Sequence, residues 1–175
     1  MRHRLVLFGM SITNTSPASP TVVTVGGGTV TSHVADGIGR VSFHHPKGNS
    51  LPGALLRELA DTVTRVGADP GARVLLLSSG GTGPFCAGAS FDELVSISNT
   101  TEGQEFFSGF SRVILAMLRV PKFVLVRVQG RAAGGAVGLI AASDLSFAVS
   151  AASAKLSELA IGIGPFVVEI GRAHV

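Results

Sequence analysis

The sequence predicts an α/β domain with crossover connections. Short apolar runs, too brief for helices, recur along the chain, and stretches of helical period separate them. The resulting order is strand, helix, strand, loop, helix, strand, helix, strand, which is the order of crossover units and not of a meander. At 175 residues the chain has the size of one domain, enough to bury roughly two thirds of its unfolded surface.

The elements follow in chain order. β-Branched residues dominate from Thr21, and 21–25, 29–34 and 39–43 read as strands, separated by Gly26 to Gly28 and by Asp36-Gly37. Ser50 is the expected N-cap of the first helix, with Pro52 in its first turn. Leu55, Leu56, Leu59, Val63 and Val66 recur at helical spacing until Gly67. Residues 73–79 contain Val74-Leu75-Leu76-Leu77, as expected of a strand buried on both faces. A glycine-rich loop, 80–88, precedes a short helix over 91–97. Thr101 and Gln104 are the expected capping box of a second long helix. Its buried stripe is Phe106, Phe107, Phe110, Val113, Ile114, Met117 and Leu118, and it stops before Pro121. A buried strand over 123–128, the segment Gly130 to Gly135, a helix of small residues to Ser143, and a strand over 145–149 behind Asp144 complete the reading.

Composition narrows the function. Apolar residues make up 46% and charged ones 14% of the chain, which excludes a disordered or fibrous protein and points to subunit-facing surface. The net charge is +3, and the basic residues are scattered without interleaved aromatics, so no nucleic-acid footprint is present. A small phosphate-bearing ligand fits better. Cys86 is the single cysteine, so no intrachain disulfide forms and a reducing compartment, cytoplasm or organelle matrix, is expected. No apolar run reaches the 18 or so residues needed to span a bilayer, and a membrane role is not expected. Residues 1–35 contain no acid, and Arg2, Arg4 and many Ser and Thr resemble a transit peptide in composition. Two arginines are few for one; residues 1–20 read as a disordered or non-native extension, with Met10 an alternative start.

Two glycine-rich strand-to-helix junctions stand out, Phe85-Cys86-Ala87-Gly88-Ala89-Ser90-Phe91 and Gln129-Gly130-Arg131-Ala132-Ala133-Gly134-Gly135-Ala136. At such a junction the first helical N–H groups lack intrahelical partners, and small side chains admit a ligand atom close to the backbone. Two of them aimed at one point would hold a developing negative charge; tight turns are the other reading. The second junction is not G-x-G-x-x-G, Asp144 comes too early for a ribose contact, and no Gly-Lys-Ser/Thr follows Gly80 to Gly88, so neither a dinucleotide fold nor a P-loop is indicated. Cys86 lacks a His/Asp partner and reads as a small buried side chain. His44 and His45 point to opposite faces of an extended segment without further ligand spacing, so no metal site is expected. Lys47, Lys122, Arg127 and Arg131 are solvated charges or contacts for phosphates.

From about Val34 to Pro165 the sequence resembles the crotonase superfamily, the enoyl-CoA hydratase/isomerase family. The resemblance rests on the two junctions together with Gly39-Arg40-Val41-Ser42-Phe43, Pro46-Lys47-Gly48-Asn49-Ser50-Leu51, Pro121-Lys122, Asp144 and Ser157-Glu158-Leu159-Ala160-Ile161-Gly162. It implies a ββα spiral, a mixed sheet of repeated strand-strand-helix units flanked by helices. It also implies an acyl-CoA substrate, coenzyme A being part of that substrate with no separate cofactor, and a homotrimer or homohexamer. By the family's pattern the backbone N–H groups of Ala89 and Gly135 form an oxyanion hole. Ala87, Gly88, Phe91, Gly134 and Gly138 join them in binding substrate, and Glu158 is the acid/base.

Counting from Asp144, the second of the family hydratases' two glutamates falls on Glu158 and the first on Gly138, which has no side chain. Taken alone, Glu158 would read as a surface carboxylate. The departure at Gly138 favours double-bond isomerisation by a single carboxylate; Asp92 or Glu93 is a candidate replacement that would restore hydration. Hydration of a branched intermediate such as methylglutaconyl-CoA, in leucine rather than fatty acid breakdown, stays open. So does a non-catalytic acyl-CoA-binding or assembly subunit, or an inactive fragment. The expected location is cytoplasmic, or the mitochondrial matrix in a eukaryote. Family members continue past the Glu158 segment. Here the pattern ends at Val168, so residues 21–168 are expected to form an incomplete core with apolar surface exposed over 145–165. Residues 169–175 match one reading frame of a sequencing-library adapter and are expected to be non-biological.

Overall fold

The structure is a computed structural model that describes residues 19–169. Most of the expected N-terminal extension and all but the first residue of the expected tail lie outside the described residues. Strands β1 (Thr21–Val25), β2 (Gly28–Ala35) and β3 (Ile38–His44) form an antiparallel meander. Its two turns, Gly26-Gly27 and Asp36-Gly37, have positive φ at both central residues, the backbone that matches the strand twist in two-residue hairpins.

The chain then repeats a unit of long strand, short strand and helix. The units are β3, β4 (Ser50–Leu51) and α1 (Gly53–Ala68); β5 (Val74–Ser79), β6 (Gly88–Ala89), α2 (Phe91–Ser96) and α3 (Thr100–Arg119); and β7 (Phe123–Val128), β8 (Ala132–Ala133) and α4 (Gly135–Ala141). A last pair, β9 (Leu145–Ala148) and β10 (Ala154–Lys155), leads into a 3-10 turn (Glu158–Ile161) and α5 (Phe166–Glu169). The long strands build a six-stranded sheet in the order β1-β2-β3-β5-β7-β9, parallel from β3 onward. The short strands pair among themselves, β4 with β6 and β8 with β10, and a parallel bridge between Cys86 and Ala132 joins the two pairs. This is the mixed sheet of repeated units that the resemblance implied.

The core lies between the sheet and the helices. Val41, Phe43, Leu75, Leu77 and Val126 from the sheet meet Leu55, Leu59, Val63, Val113 and Ile114 from α1 and α3, all fully buried. Asp144 anchors the last crossover: its carboxylate accepts from Val124 N at 2.8 Å, and its own N–H donates to Val124 O at 2.9 Å. Past this point the cover thins. Leu145 and Phe147 on the edge strand β9 are 52% and 56% exposed.

Both expected helix caps move. Pro52, not Ser50, is the N-cap of α1, and Gly53 N instead donates to the Glu93 carboxylate at 2.7 Å, forty residues away. Ser50 sits in β4, where its hydroxyl donates to Ala89 O at 3.1 Å. In α3 the capping box lies two residues upstream of Thr101 and Gln104. Asn99 Oδ1 accepts from Glu102 N at 3.0 Å, while Glu102 accepts from Ser98 N at 2.8 Å. The α3 stripe also narrows, with Phe107 43% and Leu118 48% exposed.

Candidate active site

The first junction is tied down by polar bonds. Asn49, buried and left-handed at φ 58°, donates from Nδ2 to Gly80 O and to Pro84 O, both at 3.0 Å, and accepts from His45 N through Oδ1 at 2.9 Å. It thereby staples both ends of the 80–84 loop to the turn after β3. Its role was not read from the sequence, although an Asn after Gly48 in a turn is a left-handed signal. Cys86 is fully buried, and burial pushes its thiol up to about 12, so it is held as an inert thiol. Gly88 has φ +97°, and a Cβ there would lie 3.1 Å from Ala133 O, so glycine permits the close approach of β6 to β8.

The second junction is fixed by packing. A Cβ on Gly130 would lie 2.6 Å from Gly83 O, so the two junctions touch. Gly134 adopts φ 59°, ψ −134°, and its N–H donates to Lys155 O at 3.0 Å. Gly135 opens α4, where its N–H has no carbonyl of its own helix to reach. A Cβ on Gly135 would lie 2.5 Å from Phe110 Cγ: the ring rests directly on this main chain.

Glu158 arrives from the far side of β10. Its Oε1 is 3.2 Å from the point a Cβ on Gly134 would occupy, and its Oε2 is buried without a hydrogen-bond partner. A cavity of about 290 Å³ is lined by Ala87, Gly88, Ala89, Phe91, Gly134, Gly135 and Glu158 together with Phe106, Phe107 and Phe110. All the expected site residues but one are therefore brought to one hollow. The exception is Gly138, which is buried outside it: a Cβ there would lie 2.7 Å from Ile114 Cδ1. Gly138 lies one turn of α4 beyond Gly135, and a Cβ on it would also come within 3.7 Å of Val168 Cα.

Asp92 and Glu93 are committed elsewhere. Asp92 pairs with Lys47 at the surface, which holds its carboxyl below the ordinary range, and Glu93 caps α1. His45 is buried with its Nδ1 accepting from Lys47 N, and burial lowers its pKa; His44 lies over Gly80. Lys122 donates to Asp69 O, and Arg127 and Arg131 are exposed and do not line the cavity. A larger hollow of about 590 Å³ lies between α1 and α3, but Arg57 and Arg112 there both bind Glu105, whose carboxyl Arg112 above all depresses to about 2. Its ionisable lining residues are Arg57, Asp61, Arg112 and Arg119, and neither glycine-rich junction reaches it.

A family model described as enoyl-CoA hydratase/isomerase matches residues 33–172. The chain belongs to the enoyl-CoA hydratase/isomerase family. Among similar proteins, methylglutaconyl-CoA hydratase, mitochondrial, from Homo sapiens is 32% identical over 117 residues, 67% of this chain and 34% of that protein. Crotonyl-CoA hydratase from Syntrophomonas wolfei is 31% identical over 123 residues, 70% of this chain and 46% of that protein. The crystal structure of enoyl-CoA hydratase from Bacillus anthracis superposes with a TM-score of 0.72 at 28% identity, covering 78% of this chain and 53% of that one. The chain thus spans about a third to a half of the length of the curated relatives it matches. No described helix is long and apolar enough to cross a membrane.

Proposed function

We propose that this hydratase/isomerase-family site acts on an acyl-CoA thioester through an enolate, with the N–H groups of Ala89 and Gly135 receiving the thioester oxygen and Glu158 moving the proton. The observation that carries it is Glu158: an unpartnered, buried carboxylate oxygen beside Gly134, in the same cavity as both main-chain segments. Loss of a proton beside a thioester is far uphill at neutral pH unless the oxyanion is met by preorganised donors. With a 3-enoyl thioester, the Glu158 carboxylate takes a proton from C2, and the C–H electron pair moves onto the carbonyl as a dienolate. The protonated Glu158 then returns the proton to C4, leaving the double bond between C2 and C3. No atom is gained or lost, and no resident cofactor is required.

Gly138 supports isomerisation over hydration, since it has no carboxylate to activate water and Ile114 fills the adjoining space. Hydration is the second reading, favoured by the named hydratases among the relatives. A trimer or hexamer belongs to the same proposal, because the exposed Leu145 and Phe147 leave β9 with an apolar face.

The test is to incubate the protein in D₂O with a 3-enoyl-CoA and, separately, a 2-enoyl-CoA, following the products by NMR. Double-bond migration that carries the C2 proton to C4, with little solvent deuterium there, is expected from the first and no water addition from the second. Glu158→Gln should lower the rate by about 10²–10⁴ while thioester binding persists. Unchanged turnover in that variant would remove Glu158 from the mechanism, and binding without turnover in the parent would leave the acyl-CoA-binding alternative.

A further inference from the structure

We infer that the cavity beside Glu158 takes an uncharged, apolar acyl group and turns away acyl chains that end in a second carboxylate. This rests on the reading that the site binds an acyl thioester. Four of the chain's ten phenylalanines, Phe91, Phe106, Phe107 and Phe110, line the cavity, and Ile161, Ile163, Pro165 and Val167 extend its apolar wall. Among the described residues that line it, Glu158 is the single ionisable side chain, and there is no lysine, arginine or histidine. The remaining side-chain polar groups are the hydroxyls of Ser90 and Ser157, and Ser90 already accepts from Glu93 N as the cap of α2. Lys47 is paired at the surface with Asp92, the residue after Phe91.

A carboxylate carried into this hollow on an acyl tail loses its water and meets no cation among the described lining residues. It also shares the space with Glu158, a like charge, so the two cannot both stay ionised cheaply. A hydrocarbon tail has the opposite balance: it leaves water and contacts phenylalanine and isoleucine surface. The inference separates this chain from its human relative. Methylglutaconyl is the monothioester of a dicarboxylic acid, so its acyl group carries a second carboxylate for which the described lining of this cavity holds no cation.

Hexanoyl-CoA and adipoyl-CoA share a six-carbon chain and differ at its far end, methyl against carboxylate; both are saturated and bind without isomerising. Each is titrated into the full 175-residue chain by calorimetry, since the absence of Trp and Tyr rules out intrinsic tryptophan fluorescence. Hexanoyl-CoA is expected to bind about 100-fold more tightly than adipoyl-CoA. Equal or tighter binding of adipoyl-CoA overturns the inference and leaves the thioester site standing. Binding of neither overturns both. Phe107→Arg supplies the missing cation at a partly exposed position and should narrow the ratio by about tenfold; an unchanged ratio in the folded variant, checked by circular dichroism, overturns the placement of the acyl group against Phe107.

Discussion

The junctions at 85–91 and 129–136 look alike in sequence, yet different forces hold them. The first is tied by side-chain bonds: Asn49 to Gly80 and Pro84, Ser50 to Ala89, and the Ser90 hydroxyl capping α2. The second has one side-chain bond, from Gln129 Nε2 to Ser79 Oγ at 2.6 Å, and no side-chain cap on α4; its helix end is fixed by contact between side chains and bare main chain, Phe110 on Gly135 and Ile114 on Gly138. The difference teaches where each junction has slack. A part-exposed hydrogen bond can be replaced by water at a modest cost, whereas a ring seated on a glycine leaves no volume to yield. Glycine at 135 is thus demanded by Phe110 before any ligand arrives, which ties the position of the proposed oxyanion donor to the core.

The strongest way to break this contrast is Gly135→Ala. Its new methyl would lie 2.5 Å from Phe110 Cγ and 2.6 Å from Cδ2, so we expect a loss of about 1–3 kcal/mol in urea unfolding. Combining it with Phe110→Leu should cost less than the two single losses added together; strict additivity would sink the steric account. Next comes Ser50→Ala, which removes one bond to Ala89 O and should cost about 1 kcal/mol. Should it prove the more damaging of the two, the assignment of polar ties to one junction and packing to the other is wrong. The smallest expected effect is at Cys86. With its thiol at about 12 and no exposure, it should resist a disulfide reagent at mildly alkaline pH until the protein unfolds. Prompt labelling of the native chain would mean that the first junction opens freely.

A second contrast runs along the parallel sheet. β7 and β9 both read as short apolar strands, but in β7 Val124, Val126 and Val128 are buried, while every residue of β9 is exposed. Periodicity announces a strand without announcing what will cover it, and β9 forms the edge.

What the sequence determined by itself was local: the two hairpins, the helical stripes, the short buried strands and hence the order of units, because a period of two or 3.6 and a pair of positive-φ turn residues act over a few neighbours. The resemblance in its motifs then carried the two junctions and Glu158. The tertiary structure decided what depends on partners distant in sequence. Glu93 rather than Ser50 serves the start of α1 because a side chain forty residues away reaches it. Phe107 keeps its place on the helical period of α3 but opens onto a cavity, since a stripe gives direction and not depth. Glu158 meets Gly134 through the pairing of β8 with β10, and Gly138 is buried against Ile114 because the packing of α4 on α3 fixes its rotation. Those contacts are set by how layers stack, and stacking is settled by the volumes of side chains that no single stretch of sequence contains.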